Sequence, residues 1–297
     1  MLSEIKLLLV CPDDKKDLIL KDSNLVCSNC QRIFEINENI IDLRPKVKKV
    51  LEFSDQIESN YDTYYDNLFV NTKKNKNTFG IISNSVPKGF VDETISQIKN
   101  HIKNTDIVCD IAAGSGDYSI PLAKECKIML HCDLDLEGIK ISQKRANSEN
   151  IKNIFFLITD YFSLPFKSKK MDLVYSIDVI ERGEKHDKFL LEQIIKIVKN
   201  KGKILFDYHT SERKNITRQI PKEIGTYSKK EINELVKNFP LKKINSIGTG
   251  YLPQLRNWRN FEYKILNTIL KKIKLPSARI LLIYSIIDTK AKQINLS

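Results

Sequence analysis

The chain has 297 residues, 41% of them hydrophobic and 29% charged, which is enough apolar material for a packed core and excludes a disordered or fibrous chain. Its 49 Lys and Arg against 37 Asp and Glu give a formal charge of +12, but the lysines are scattered, so the excess alone does not mark a phosphate-binding face. The longest apolar stretch near the C-terminus, Ile280–Ile287, is far short of the ~20 residues of a membrane span, and the N-terminus lacks the basic start of a secretory signal, so a soluble, cytoplasmic protein is expected.

The chain opens on a cysteine-bearing segment, residues 1–48. Cys11-Pro-Asp-Asp14 and Cys27-Ser-Asn-Cys30 are short turns, accompanied by runs at Leu18–Leu20 and Arg32–Ile36 that suit small strands. Two ligands from each of two tight turns complete a tetrahedron around zinc, and a carboxylate can take one of the four places. Cys11, Asp14, Cys27 and Cys30 are therefore a candidate structural metal site; the alternative is a segment that holds together on its apolar core without metal. Leu9-Val-Cys-Pro12, Leu25-Val-Cys-Ser-Asn-Cys30, Phe34-Glu-Ile-Asn37 and Ile40-Ile-Asp-Leu-Arg-Pro45 resemble the short zinc-ribbon proteins that partner methyltransferases, and their fused versions at methyltransferase N-termini. Asp14 departs from that pattern, standing where a Cys is expected. The other cysteines, Cys109, Cys126 and Cys132, lie in or beside apolar runs, where a free Cys serves as a small buried hydrophobe.

Residues 49–90 read as a connector with N-terminal helices, in which Tyr61, Tyr64, Tyr65 and Phe69 recur at roughly helical spacing. From residue 91 the pattern becomes regular. A helix over Asp92–Lys103 precedes strands at Asp106–Ile111, Lys127–Cys132, Asn153–Ile158, Met171–Ile177 and Gly202–Asp207, with helices between them, among them Phe189–Val198. Tyr227-Ser228 then caps a helix running to Val236 ahead of a sixth strand, and a helical insertion at about 251–277 precedes the last strand. Strands alternating with helices imply an α/β fold whose mainly parallel sheet is covered on both faces. Residues 91–297 are expected to form a doubly wound, seven-stranded Rossmann-like domain behind the small β-rich, zinc-ribbon-like segment.

Val108-Cys-Asp-Ile-Ala-Ala-Gly-Ser-Gly116 ends the first of these strands in a turn where Gly114 and Gly116 permit close backbone approach to a ligand. Asp133, at the end of the next strand, is placed to accept hydrogen bonds from ribose hydroxyls. No Gly-Lys-Ser/Thr follows, which excludes a Walker loop, and Ser119 stands where a dinucleotide fingerprint has its third glycine. These residues, with Thr159–Phe166, Met171–Glu181 and Ile197–Leu205, resemble class I S-adenosylmethionine-dependent methyltransferases of the UbiE-like type over about residues 91–210. The resemblance implies S-adenosylmethionine as cofactor, S-adenosylhomocysteine as product, and cofactor contacts at Asp110, Ala112, Gly114, Gly116, Asp133, Leu134, Asp160, Tyr161 and Asp178. It places Asp160 at the adenine amino group, with Tyr161 beside the ring, and Ala112 where the family has its first glycine.

Methyl transfer from a sulfonium needs an aligned nucleophile and an acceptor for its proton. His209, just past the fifth strand, is the leading candidate base, with Asp178 and Glu181 as carboxylate alternatives; His186 and Asp187 are weaker candidates and His131, inside a strand, reads as structural. Ser176-Ile-Asp-Val-Ile-Glu181 lacks the Asn/Asp-Pro-Pro-Tyr of exocyclic base methylation. O- or N-methylation of a small molecule or glycan, such as a cell-surface or secondary-metabolite intermediate, is one reading. The alternative is an rRNA or tRNA methyltransferase whose ribbon and basic surface hold the RNA. The stripe Phe261, Ile265, Leu266, Ile269, Leu270 and Ile273, beside Lys264, Lys271, Lys272 and Lys274, either packs on its own domain or makes peripheral contact with a membrane or lipid-linked substrate. Trp258, between Arg256 and Arg259, is a lid or a core anchor.

Overall fold

The computed structural model describes residues 2–46, 88–180, 183–212, 225–250, 260–272 and 277–288. The aromatic run Tyr61–Phe69, Glu181, Arg182 and Trp258 lie outside these residues. After the single turn α1 (Leu2–Ile5), strands β1 (Leu18–Lys21), β2 (Asn24–Cys27) and β3 (Ile33–Phe34) make a small antiparallel sheet. Strands β4 (Ile36–Asn37) and β5 (Ile40–Asp42) form a second hairpin. Both hairpins close on two residues of positive φ, Asp22-Ser23 and Glu38-Asn39, the backbone pair that matches the twist of flanking strands.

The second hairpin leaves the small sheet and joins the large one. Strands β6 (Ile107–Ile111), β7 (Ile128–Asp133), β8 (Ile154–Ile158), β9 (Met171–Ser176), β10 (Val198–His209), β11 (Leu241–Thr249) and β12 (Arg279–Ile286) supply the seven strands expected from sequence. Their order is β11-β12-β10-β9-β6-β7-β8, with β12 antiparallel to both of its neighbours. Among the described residues the sheet nevertheless has nine strands, because β5 pairs in parallel with β8 (Ile40 opposite Phe156, Asp42 opposite Ile158) and β4 follows at the edge. An uncovered β8 would present a row of unpaired backbone donors and acceptors, and the N-terminal hairpin satisfies them. The run Arg32–Ile36, read as one strand, is thus divided: Ile33–Phe34 belongs to the small sheet and Ile36–Asn37 to the large one.

Alternation along the strands sorts their side chains onto two faces. Val108, Met129, Phe156, Leu173, Leu205 and Leu281 share a core with Ile98, Leu122 and Ile139, which belong to α2 (Lys88–Lys99), α3 (Ser119–Ala123) and α4 (Leu136–Ser148). On the other face, Cys109, Leu130, Phe155, Leu157, Val174 and Phe206 pack with Leu190, Leu191 and Ile194 of α5 (Glu184–Ile197) and Ile232 and Leu235 of α6 (Lys229–Val236). Ile5, Leu8, Leu9, Leu25 and Phe34 of the N-terminal segment belong to that same core. The connection from β8 to β9 contains only a 3₁₀ turn, Tyr161–Ser163, and no α-helix.

Helix α2 begins four residues before the expected Asp92 and α5 five before the expected Phe189. Ser228 caps α6 reciprocally with Glu231, as the Tyr-Ser turn predicts. The insertion contains α7 (Asn260–Lys272), whose Asn267 is buried and donates to Glu93 of α2 at 3.0 Å, while Ile265 and Ile269 are exposed. No helix among the described residues is long and apolar enough to cross a membrane.

Candidate active site

The C-terminal ends of β6 to β10 bring the predicted polar residues to one edge of the sheet. Past β6 the backbone enters the left-handed region at Ala112 (φ +59°), Gly114 (+53°) and Gly116 (+79°). A Cβ on Gly114 would meet nothing within 4 Å, so open space lies beside the turn, whereas one on Gly116 would stand 2.6 Å from Ser142 Oγ of α4. Gly114 therefore leaves room for a ligand, and Gly116 lets α4 approach. Ala112 holds the same backbone conformation without a glycine's freedom, at a cost of about 1–2 kcal/mol.

Asp133 closes this turn: Gly114 N–H donates to its Oδ2 at 2.7 Å and Asp135 N–H to its Oδ1 at 2.8 Å. Burial pushes its carboxyl above the ordinary range, against these hydrogen bonds. Each oxygen retains acceptor capacity toward a hydroxyl. Leu134 follows, half-buried, and Asp135 caps α4 through the N–H groups of Glu137 and Gly138. Asp110 is buried, and its Oδ2 has no hydrogen-bond partner among the described residues. Burial raises its carboxyl well above the usual range, and the nearby Asp133 adds to the shift. Past β8, Asp160 caps the 3₁₀ turn by accepting from Phe162 N–H at 2.8 Å.

The end of β9 carries a buried charge cluster that sequence reading foresaw only in part. Asp178 is held at φ +67°, its N–H donates to Asp207 Oδ1 at 2.7 Å, and its carboxylate is ion-paired with Arg279. Arg279, the first residue of β12, also reaches Asp207 Oδ2 at 3.1 Å and lies over the Phe90 ring. Burial acts to raise the Asp178 carboxyl, but the Arg279 charge and the His209 contact outweigh it and hold the pKa down to about 2. Burial pushes Asp207 the other way, above its ordinary value. His209, opposite Arg279 in the β10–β12 register, is buried with Nε2 3.5 Å from Asp178 Oδ1. Asp178 is the more exposed member, so it fronts the site and His209 sits behind it. Arg279 and Asp207 were missed; the available signal was a lone cation opening an otherwise apolar strand.

His186 and Asp187 also proved to be part of something larger. The Tyr161 hydroxyl lies 3.1 Å from His186 Nε2, His186 Nδ1 lies 2.8 Å from Asp187 Oδ1, and the Tyr227 hydroxyl donates to Asp187 Oδ2 at 2.6 Å. This buried chain ties the 3₁₀ turn to the start of α5. His131 is fully buried beside Ser119 Oγ (2.7 Å), and burial lowers its pKa to about 3, in keeping with a structural role.

At the N-terminal segment, the ligand atoms of Cys11, Asp14, Cys27 and Cys30 all lie within 4.8 Å of one another. Cys11 Sγ and Cys30 Sγ are 3.7 Å apart, and Cys27 Sγ is 3.4 Å from both Asp14 oxygens. The backbone N–H groups of Asn29 and Cys30 point at Cys27 Sγ, each at 3.4 Å.

A family model described as a methyltransferase domain matches residues 102–264, more than half of the chain. The chain belongs to that methyltransferase family. Among curated proteins it is similar to the ubiquinone/menaquinone biosynthesis C-methyltransferase UbiE of Rickettsia prowazekii (strain Madrid E), 29% identical over 121 residues that cover 38% of this chain and 47% of that one. The methyltransferase chain thus spans about half the length of the curated relative it matches. Among solved structures, magnesium protoporphyrin IX methyltransferase from Synechocystis PCC 6803, with bound S-adenosylhomocysteine, superposes with a TM-score of 0.52 at 12% identity, covering 78% of this chain and 99% of that one. The PH0226 protein from Pyrococcus horikoshii OT3 gives 0.50 at 16% identity, covering 66% and 89%. The [4+2]-cyclase SpnF gives 0.52 at 10% identity, covering 66% and 80%. At such identities these likenesses establish the fold, and SpnF illustrates that one fold hosts more than one reaction.

Proposed function

We propose that this methyltransferase binds S-adenosylmethionine at the Gly114 edge and methylates an oxygen or nitrogen of a small-molecule or glycan acceptor. The observation that carries the reading is the grouping at that edge: open space beside Gly114, acceptor capacity on Asp133, and the unpartnered buried Oδ2 of Asp110. These groups fit the cofactor. Asp133 would take the ribose hydroxyls and Asp160 the adenine amino group, with Leu134 and Tyr161 flanking the base; Asp110, Ala112, Gly114 and Gly116 would shape the turn around the rest. When bound, the cofactor supplies a methyl group already activated by its sulfonium. The chain's own task is then to orient the acceptor and receive its proton. Asp178, the more exposed of the pair and locked by Arg279, would orient the acceptor and pass its proton on to His209, whose Nε2 lies 3.5 Å behind the carboxylate. Glu181 lies outside the described residues.

A small acceptor is favoured over RNA by the way the basic residues are used. Lys99, Lys124, Lys127, Lys167 and Lys199 are each paired with a carboxylate, so at those places the surface offers mixed rather than purely positive charge. The inner side of the ribbon faces the protein core rather than solvent. In calorimetry, Asp133→Ala is expected to weaken S-adenosylhomocysteine binding by about 100-fold, the loss of one to two charge-assisted hydrogen bonds. Unchanged affinity would remove the assignment. Transfer of labelled methyl from the cofactor into a nuclease-sensitive fraction of cell extract, rather than into small molecules, would decide for RNA.

The ribbon is assigned a structural zinc. Ligands 2.0–2.3 Å from zinc on a tetrahedron stand ~3.3–3.8 Å from one another, and the Cys11–Cys30 and Cys27–Asp14 separations of 3.7 and 3.4 Å match that spacing. About one zinc per chain is expected by atomic emission, and Cys27→Ser should release it.

A further inference from the structure

The metal knuckle and the turn that carries Asp160 are physically joined, and the join runs through one lysine. Residues 11–16 fold on themselves: Lys15 N–H donates to Cys11 O at 2.9 Å, Cys11 N–H to Lys16 O at 2.8 Å, and Lys16 N–H to Asp14 Oδ1 at 3.0 Å. Lys15 itself is left-handed, φ +60°. Its ammonium donates to Ser163 Oγ (2.9 Å), Ser163 O (3.2 Å) and Leu164 O (3.3 Å). Two of these are carbonyls at the C-terminal end of the 3₁₀ turn that Asp160 caps, the end where a cation is favoured.

The backbone repeats the grip on either side. Ser163 Oγ donates to Pro12 O at 3.4 Å, Val10 N–H to Pro165 O at 2.9 Å and Lys167 N–H to Leu8 O at 2.8 Å. The stretch from Ser163 to Lys167 is therefore laid against Leu8–Lys15, and Asp160 and Tyr161 stand two to three residues upstream of that contact. The β8–β9 connection has no helix of its own, so the knuckle grips its C-terminal half while the Tyr161–His186 contact ties its start to α5.

We infer that metal binding at Cys11, Asp14, Cys27 and Cys30 and cofactor binding at the Asp160 side of the pocket are positively coupled, with Lys15 as the positioning residue that transmits the coupling. The inference rests on the zinc and cofactor assignments above. Metal orders the knuckle, the ordered knuckle holds Ser163 and Leu164, and these fix Asp160 and Tyr161 where the adenine would lie. Linkage makes the effect reciprocal: zinc strengthens cofactor binding by the same factor by which the cofactor strengthens zinc binding.

The experiment uses the full chain, loaded with Zn²⁺ or stripped with a chelator, titrated calorimetrically with S-adenosylhomocysteine. Removal of zinc is expected to weaken binding about tenfold, with recovery when Zn²⁺ is returned. Lys15→Met should retain one zinc per chain yet show the same weakening, and Lys15→Arg, which keeps a cation in reach of the carbonyls, should restore most of the affinity. In the reverse direction, S-adenosylhomocysteine should lower by a similar factor the equilibrium transfer of zinc to a chromophoric chelator. Equal affinity, within twofold, for the loaded, stripped and Lys15→Met proteins overturns the coupling itself. A chain that takes up no zinc overturns it through the metal assignment, and a zinc-loaded chain that ignores S-adenosylhomocysteine overturns it through the cofactor assignment.

Discussion

One face of the large sheet is covered by α2, α3 and α4, helices that lie before or between the strands they cover. The other face has α5 and α6, but also Ile5, Leu8, Leu9, Leu25 and Phe34, brought from a segment more than sixty residues ahead of β6 in the chain. The difference follows from the β8–β9 connection. Where a βα unit lacks its helix, apolar side chains such as Phe155 and Leu157 need another cover, and the N-terminal segment provides it. What looks in sequence like an appended ribbon is part of the fold's hydrophobic interior.

The comparison can be broken most directly at Leu9, which is fully buried. Leu9→Ala should cost about 2–5 kcal/mol in urea unfolding, the range of a core leucine, and Leu122→Ala on the helical face should cost a similar amount. Ile19, about half exposed on the small sheet, should tolerate alanine within ~0.5 kcal/mol. If Leu9→Ala were as mild as Ile19→Ala, the segment would be an appendage after all.

Acid should separate the two faces further. His131 lies on the helical face, in contact with Phe156, and burial holds its pKa at about 3, below the ~6.5 of an unfolded histidine. The unfolded chain therefore takes up the proton first, so this stability is fully present above pH ~6.5 and is lost as pH falls toward the folded value. Between pH 7 and 4.5 the loss should be about 2–3 kcal/mol. His131→Asn should flatten that slope, whatever it does to stability at neutral pH; a slope unchanged in the variant would assign the acid sensitivity elsewhere. The smallest expected effect concerns Ala112, whose left-handed backbone sits at the end of β6. Ala112→Gly should stabilise by about 0.5–1 kcal/mol, the relief of αL strain less the added freedom of the unfolded chain. Denaturant midpoints would check it.

Strands β6 to β9 and β12 were legible because each is an apolar run bounded by polar turns, and the acids Asp133, Asp160 and Asp178 because each follows such a run; β11, largely polar and exposed, was expected only from its place after the capped helix. The nine-stranded count was not. Strands β4 and β5 are two and three residues long, too short for periodicity to register, and what recruits them is an open edge more than a hundred residues away. The early start of α5 was hidden for a related reason. Glu184-Lys-His-Asp187 looks like a solvated loop, yet His186 and Asp187 are buried because they satisfy each other and the two tyrosines. Arg279 likewise is buried only because Asp178 and Asp207 converge on it from other strands.

The pairing of β5 with β8 also sets an order of events during synthesis. The small sheet β1-β2-β3 contains only local pairings and can close as soon as it leaves the ribosome, but β5 must wait for a partner encoded roughly a hundred residues later. At ~5–20 residues per second that interval lasts about 5–20 s. Throughout it, Ile5, Leu8, Leu9 and Leu43 have no sheet to cover. Until β8 is made this segment is therefore adhesive, and a chaperone that recognises short apolar stretches would find a substrate in it.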